Sequence, residues 1–222
     1  RREAGEREDA RDAFVSNRFS ALADLPPGSV VGTSSLRRES QLRARFPYLK
    51  VNPLRGNVEI RLRKLDEGEY VVIILAAAVF IRLGLANRIR SLLSFEESIP
   101  AVGQGALGIE YRAENEELAQ WLAPLAEQNT MFAVLAERAF SKRLGGSCEV
   151  PLGCHAVREG QNLALSGFVA SPDGTQVIRR SLSGAFTDAE ELGATLAQQL
   201  MDAGAAEILA ALDPTSASHT GK

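Results

Sequence analysis

This chain of 222 residues has few of the groups that build metal sites, disulfides or membrane spans: two cysteines, two histidines and one tryptophan. Cys148 and Cys154 lie on either side of Pro151, at a spacing that fits neither a zinc pair nor a redox Cys-x-x-Cys, and a disulfide between them is disfavoured in a reducing compartment. His155 and His219 have no neighbours at metal-ligand spacing, so no metal is expected. No apolar run approaches the roughly 18 residues that mark a membrane helix. The opening Arg1-Arg2-Glu3-Ala4-Gly5-Glu6-Arg7-Glu8-Asp9 is too charged for a secretory signal. A cytoplasmic protein with no membrane partner is therefore expected. A basic excess is missing as well, and the formal net charge of -3 argues against a general nucleic-acid binder. With 45% hydrophobic and 24% charged residues, the composition marks neither disorder nor a fibre. The chain has no initiator methionine, and its abrupt charged start reads as part of a longer polypeptide.

What the sequence does have is a set of arginines, each just past a short apolar strand. Val30-Val31 runs through Thr33, Ser34 and Ser35 into Arg37-Arg38; Val51 runs into Arg55-Gly56-Asn57 and on to Arg61; Val72-Ile73-Ile74-Leu75 runs toward Arg82. In an open α/β sheet, ligands bind outside the carboxyl ends of the strands, so these arginines should share one crevice. Guanidinium groups fork onto carboxylates or phosphates and stay charged at any working pH. The expected ligand is a polyanion.

The rest of the chain divides by pattern. Residues 12–99 alternate short β-branched strands with helical stretches, the rhythm of an α/β parallel-sheet lobe, after a crossing segment at residues 1–11. Ser34 or Ser35 can cap a helix that Pro47 stops; Asn57 can cap a second that ends before Gly68. Residues 100–127 hold the hinge-like Pro100-Ala101-Val102-Gly103-Gln104-Gly105, one strand and one helix, too little for a domain without a partner sheet. Residues 128–213 read as a small α+β domain: a helix, the Gly145-Gly146-Ser147-Cys148 loop, strands turning at Glu159-Gly160 and Pro172-Asp173-Gly174, and a closing helix. Residues 214–222 form a Ser/Thr-rich tail.

Six motifs, in order and with matching spacing, carry a family resemblance: Gly32-Thr33-Ser34-Ser35-Leu36-Arg37-Arg38, Leu54-Arg55-Gly56-Asn57-Val58, Ile73-Ile74-Leu75-Ala76, Arg82-Leu83-Gly84-Leu85, Pro100-Ala101-Val102-Gly103-Gln104-Gly105 and Cys148-Glu149-Val150-Pro151. Together the chain resembles the porphobilinogen deaminase (hydroxymethylbilane synthase) family over residues 6–209. The resemblance implies a periplasmic-binding-protein-like lobe followed by the α+β domain. It also implies a first domain of which only residues 1–11 and 100–127 are represented, and a catalytic aspartate in a His-Ser-Met-Lys-Asp segment that this sequence does not contain.

The implied activity is a transferase of heme and porphyrin biosynthesis. Four porphobilinogen molecules condense, each losing ammonia, onto a dipyrromethane cofactor to give a linear tetrapyrrole, in a monomeric enzyme. The resemblance makes Cys148 the thioether attachment point. It assigns Thr33, Ser35, Arg37, Arg38, Arg61, Arg82 and Gln104 to the cofactor and Arg55, Arg61 and Arg82 to the substrate and the growing polypyrrole. A chain lacking the acid would instead serve as a polycarboxylate- or pyrrole-binding module.

The residues themselves leave choices open. Adjacent on a helix, Arg37 and Arg38 point about 100° apart, so they hold two different groups or one faces solvent. Gln104 serves the cleft or is only a hinge residue. Cys148 is either a small buried hydrophobe or a thiolate lifted out by its glycines; Cys154 takes the first reading. Where the family usually reads Ala-Gly-Leu-Lys-Arg-Leu-Gly, this chain has Ala78-Val79-Phe80-Ile81-Arg82-Leu83-Gly84, with Val71 for a usual Asp and Ile60 for a usual Thr. Val79 is expected to crowd the cofactor rings, and Phe80 with Ile81, if exposed, to add an apolar patch.

Overall fold

A computed structural model of the chain describes residues 2–145 and 150–212. In chain order the elements are β1 (Arg2–Ala4), β2 (Asp12–Val15), β3 (Val30–Gly32), α1 (Leu36–Arg45), β4 (Lys50–Asn52), α2 (Val58–Asp66), β5 (Val72–Ala76), α3 (Ala77–Arg82) and β6 (Ser91–Leu92). They are followed by β7 (Gly108–Glu110), α4 (Glu116–Leu122), α5 (Gln128–Arg143), β8 (Leu152–Glu159), β9 (Asn162–Ala170), β10 (Val177–Ala185), α6 (Ala189–Leu200) and α7 (Ala206–Leu212).

The lobe is a five-stranded sheet in the order β4-β3-β5-β2-β6. Strand β3 lies parallel to both β4 and β5, as the βα rhythm implies. Strand β2 is antiparallel to β5 and to β6, so the sheet is mixed rather than wholly parallel. This matters for the site. Parallel strands bring their last residues to one edge, and an antiparallel neighbour brings its first residue to that same edge: Asp12, which opens β2, pairs with Ala76, which closes β5.

Both faces of the sheet are covered, which is why β5 reads as the uninterrupted apolar run Val72-Ile73-Ile74-Leu75. Ile73 and Leu75 pack with Leu62, Leu65 and Phe80 on one face. Val72 and Ile74 pack with Leu42, Leu49 and Leu93 on the other. Phe80 is therefore core, fully buried, and the expected patch on α3 consists of Val79, Ile81 and Leu83 instead. Val79 is 40% exposed on a helical backbone with no positive φ, so this position does not require glycine for its conformation.

The C-terminal part is a three-stranded antiparallel sheet, β10-β9-β8, with α5 and α6 packed on it around Phe140, Leu163, Leu165 and Leu196. Its β9–β10 turn rests on α1. Gly174, at φ +73°, sits so close that a Cβ there would meet the backbone of Ser40 and Ala44. Between the two parts, β1 and β7 form a two-stranded antiparallel ladder that joins the first segment of the chain to the stretch after the hinge. On the neighbouring α4 stretch Leu118, Trp121 and Leu125 remain exposed, Trp121 to 74%.

Candidate functional site

The carboxyl edge of the lobe sheet is built from three loops. After β3, the Ser34 hydroxyl donates to the Leu54 carbonyl (2.9 Å), tying this loop to the one after β4. The Ser35 amide donates to Thr33 Oγ1 (3.2 Å). Ser35 holds the N-cap position of α1 but makes no capping hydrogen bond through its side chain, and Ser34 does not cap either, because its hydroxyl is committed across the edge. Asn57 does cap α2, accepting from the Ile60 amide at 2.9 Å.

The arginines expected at this edge meet two different fates. Arg37 is buried, with both terminal nitrogens committed to the protein. Nη1 donates to the Ile99 carbonyl (2.6 Å) and to Ser98 Oγ (3.3 Å), and Nη2 to the Asp12 carboxylate (2.9 and 3.1 Å) and Gln104 Oε1 (3.4 Å). Arg38 donates through Nε to Asp12 Oδ1 (2.9 Å) and pairs with it through Nη2, which also reaches Gln104 Oε1 at 3.4 Å. Ser98 and Gln104 Nε2 complete the shell of Asp12, at 2.7 and 2.9 Å. Burial alone would raise the Asp12 carboxyl, but the charges of Arg37 and Arg38 outweigh it and hold the group far below the usual carboxylate range. For Arg37 burial is the larger effect, and it brings the guanidinium down to about 10 despite Asp12.

The other arginines stand at the rim. Arg61 donates through Nε to the Gly56 carbonyl (2.7 Å), and Arg82 through Nη2 to the Gly105 carbonyl (2.8 Å). Arg55, exposed beside Gly56, makes no hydrogen bond or ion pair to another described residue. Partial burial, and then the positive charge of Arg38, lower the Arg61 pKa. Arg61 is thus tied to Gly56, Arg38 to Gln104 and Arg82 to Gly105, all at this edge with Arg55 next to Gly56. They are a set of cations whose partners at Gly56 and Gly105 are neutral carbonyls, with hydrogen-bonding capacity left for anions.

The hinge is held against this edge by groups that sequence reasoning missed. Gly105, at φ +86°, approaches the crossing segment so closely that a Cβ would fall on the Glu8 carbonyl oxygen. Gln104 donates to the Ala10 carbonyl at 2.6 Å. Glu137 on α5, fully buried, accepts from Arg7 at 2.7 and 3.1 Å, from the Gly103 amide at 2.6 Å and from the Ala156 amide at 2.8 Å. One carboxylate thus joins the crossing segment, the hinge and the C-terminal sheet. Burial pushes its carboxyl up against the opposing pull of Arg7. Two signals for these acids were in the sequence: Glu137 occupies an apolar helical row with Ala133, Ala136 and Phe140, and Asp12 heads the buried run Ala13-Phe14-Val15.

Cys148 lies outside the described residues, as do Gly146, Ser147, Glu149 and His219. Cys154 is fully buried and unpaired on β8, and burial, then the Glu137 charge, push its thiol well above the ordinary value, which makes it a poor nucleophile. Among the described residues no cluster of His, Cys, Asp and Glu could hold a metal ion, and no helix is long and apolar enough to cross a membrane.

Comparison with known proteins gives two family matches. Residues 3–120 match the model of the porphobilinogen deaminase, dipyromethane cofactor binding domain, and residues 131–202 match the porphobilinogen deaminase, C-terminal domain. The porphobilinogen deaminase of Thiobacillus denitrificans is 60% identical over 208 residues, which are 94% of this chain and 68% of that protein. Its counterpart in Nitrosomonas europaea is 61% identical over 207 residues, 93% and 67% respectively, and that in Chromobacterium violaceum 58% over 207. The chain spans about two thirds of the length of these curated relatives.

Proposed function

We propose that this chain, which belongs to the porphobilinogen deaminase family, is the cofactor-bearing and carboxylate-binding part of a hydroxymethylbilane synthase. The observation that carries this reading is the set Arg55, Arg61, Arg38 and Arg82 at the carboxyl edge of the sheet, with Arg61 tied to Gly56, Arg38 to Gln104 and Arg82 to Gly105. Each pyrrole of a growing chain brings an acetate and a propionate, and a carboxylate taken out of water without a partner costs several kcal/mol, roughly. Fixed cations with spare donors meet that need.

A covalent dipyrromethane supplies the primer to which porphobilinogen units are added with loss of ammonia. The chain's own residues bind and orient. Cys148, which the family resemblance makes the attachment point, would anchor the primer by a thioether; Cys154 is fully buried on β8 with its thiol pKa raised by that burial. Arg38, Arg61 and Arg82, with Thr33, Ser35, Arg37 and Gln104 around them, hold the cofactor's carboxylates, and Arg55, Arg61 and Arg82 those of the incoming substrate. The site acts in the cytoplasm, as a monomer, with porphobilinogen and the lengthening polypyrrole as its partners.

The intact mass of the denatured protein tests this. A chain produced in cells that make porphobilinogen should carry an added two-pyrrole mass, lost in Cys148→Ser and kept in Cys154→Ser. An adduct that survives Cys148→Ser overturns the attachment point. A wild-type chain with no adduct and no affinity for porphobilinogen overturns the reading as a whole.

A further inference from the structure

Arg37 and Arg38 are neighbours in sequence, yet their surroundings separate them. Arg37 has both terminal nitrogens on protein acceptors and lies on the buried side of α1, leaving only Nε outside its recorded bonds. Arg38 spends Nε and Nη2 on Asp12 and Gln104 and keeps Nη1 outside its recorded bonds, while its charge reaches Arg61. Asp12 divides them. It is the first residue of the one strand that enters the sheet antiparallel to β5, so its carboxylate arrives at the edge where the parallel strands end. Two oxygens there take Arg37, Arg38, Ser98 and Gln104 together.

We infer that Asp12 is a positioning residue for ligand binding: it locks Arg37 beneath the sheet edge as a brace and, with Gln104, fixes the Nε and Nη2 side of Arg38 so that Nη1 is left for the ligand. This inference rests on the carboxylate-binding role proposed above. Arg37 then acts through Asp12 and the Ile99 carbonyl, holding the chain that leaves the lobe for the hinge, and Arg38 is the member of the pair that meets the ligand.

The sign of the effect separates positioning from simple charge. Asp12→Asn removes a negative charge from an anion site. If only charge mattered, the dipyrromethane would bind more tightly, whereas loss of the pose should weaken it about tenfold, the scale of one hydrogen bond to a charged group. The test is calorimetric titration of a free dipyrromethane, the group whose carboxylates Arg38 is placed on, into primer-free wild type, Asp12→Asn, Arg38→Leu and the double variant, all shown folded by circular dichroism.

If Asp12 acts through Arg38, the double variant binds no more weakly than Arg38→Leu alone. Additive losses, or unchanged or tighter binding in Asp12→Asn, overturn the inference while leaving the functional reading intact. A folded wild type that does not bind overturns the functional reading and this inference with it. Should Asp12→Asn fail to fold, Ser98→Ala removes one donor from Asp12 and the weaker of two acceptors from Arg37 Nη1 while leaving every bond of Arg38 in place. Its loss of about threefold should likewise vanish in the Arg38→Leu background, and a loss that persists there overturns the inference.

Discussion

Floor and rim of the same crevice use the same residue type to opposite ends. On the floor, Arg37 meets a carboxylate that the chain itself supplies, and the pair is sealed by Ser98, Ile99 and Gln104. At the rim, Arg61 and Arg82 lean on glycine carbonyls, and no described residue pairs with Arg55. The difference teaches that an arginine past a strand end is not yet a ligand contact. How far its donors are used up within the fold depends on which acceptors arrive at the same edge, and here the antiparallel entry of β2 delivers one acid, Asp12, to Arg37 and Arg38 but not to Arg61 or Arg82.

The largest effect should come from breaking the floor. Asp12→Leu leaves Arg37 buried with its charge uncompensated, and removing one partner of a buried pair costs about 3–5 kcal/mol. Urea unfolding followed by circular dichroism should show that loss, and a loss below about 1 kcal/mol would mean that the pair does not brace the fold.

Acid sharpens the comparison, because the floor should respond to it only below the ordinary carboxylate range. The Asp12 pKa is lowered in the folded chain, so its contribution is present above the ordinary carboxylate pKa and fades only as pH falls through the lower folded value. His155 behaves differently. Burial first, then Arg7, push it from 6.5 down to about 4, where it stacks on Phe95 with ring centroids 3.9 Å apart. Below pH 6.5 the unfolded chain takes up a proton that the folded chain refuses, so stability falls as pH drops from about 6.5 toward about 4. The loss should be on the order of 2–3 kcal/mol. His155→Gln should flatten that stretch of the stability profile, and an unchanged slope would assign the titration elsewhere.

Much of this was legible in the sequence. Strand-then-arginine spacing located the crevice edge because apolar runs buried on both faces are hard to mistake, as in Val72-Ile73-Ile74-Leu75, and the Asn57 cap followed from side-chain chemistry alone. The direction of β2 was not legible, since four residues carry no mark of the strand they will pair with. Without it Asp12 could not be placed beside Arg37. Glu137 escaped for the same reason: its partners Arg7, Gly103 and Ala156 come from three distant segments. Whether Phe80 was exposed stayed open because α3 is only six residues long, too short for its periodicity to show which face is buried.

The most direct test sets one rim residue against one floor residue. Arg61→Leu and Arg37→Leu are each compared with the wild type for porphobilinogen affinity by calorimetry and for stability by urea unfolding. Arg61→Leu should weaken binding by about 1.5–3 kcal/mol, with Arg61→Lys restoring only part because it loses the fork, and should leave stability within about 0.5 kcal/mol. Arg37→Leu should instead lower stability by several times that margin. If Arg61→Leu destabilises the fold while porphobilinogen affinity stays at the wild-type value, the rim is structural and the account of this crevice as a carboxylate site is wrong.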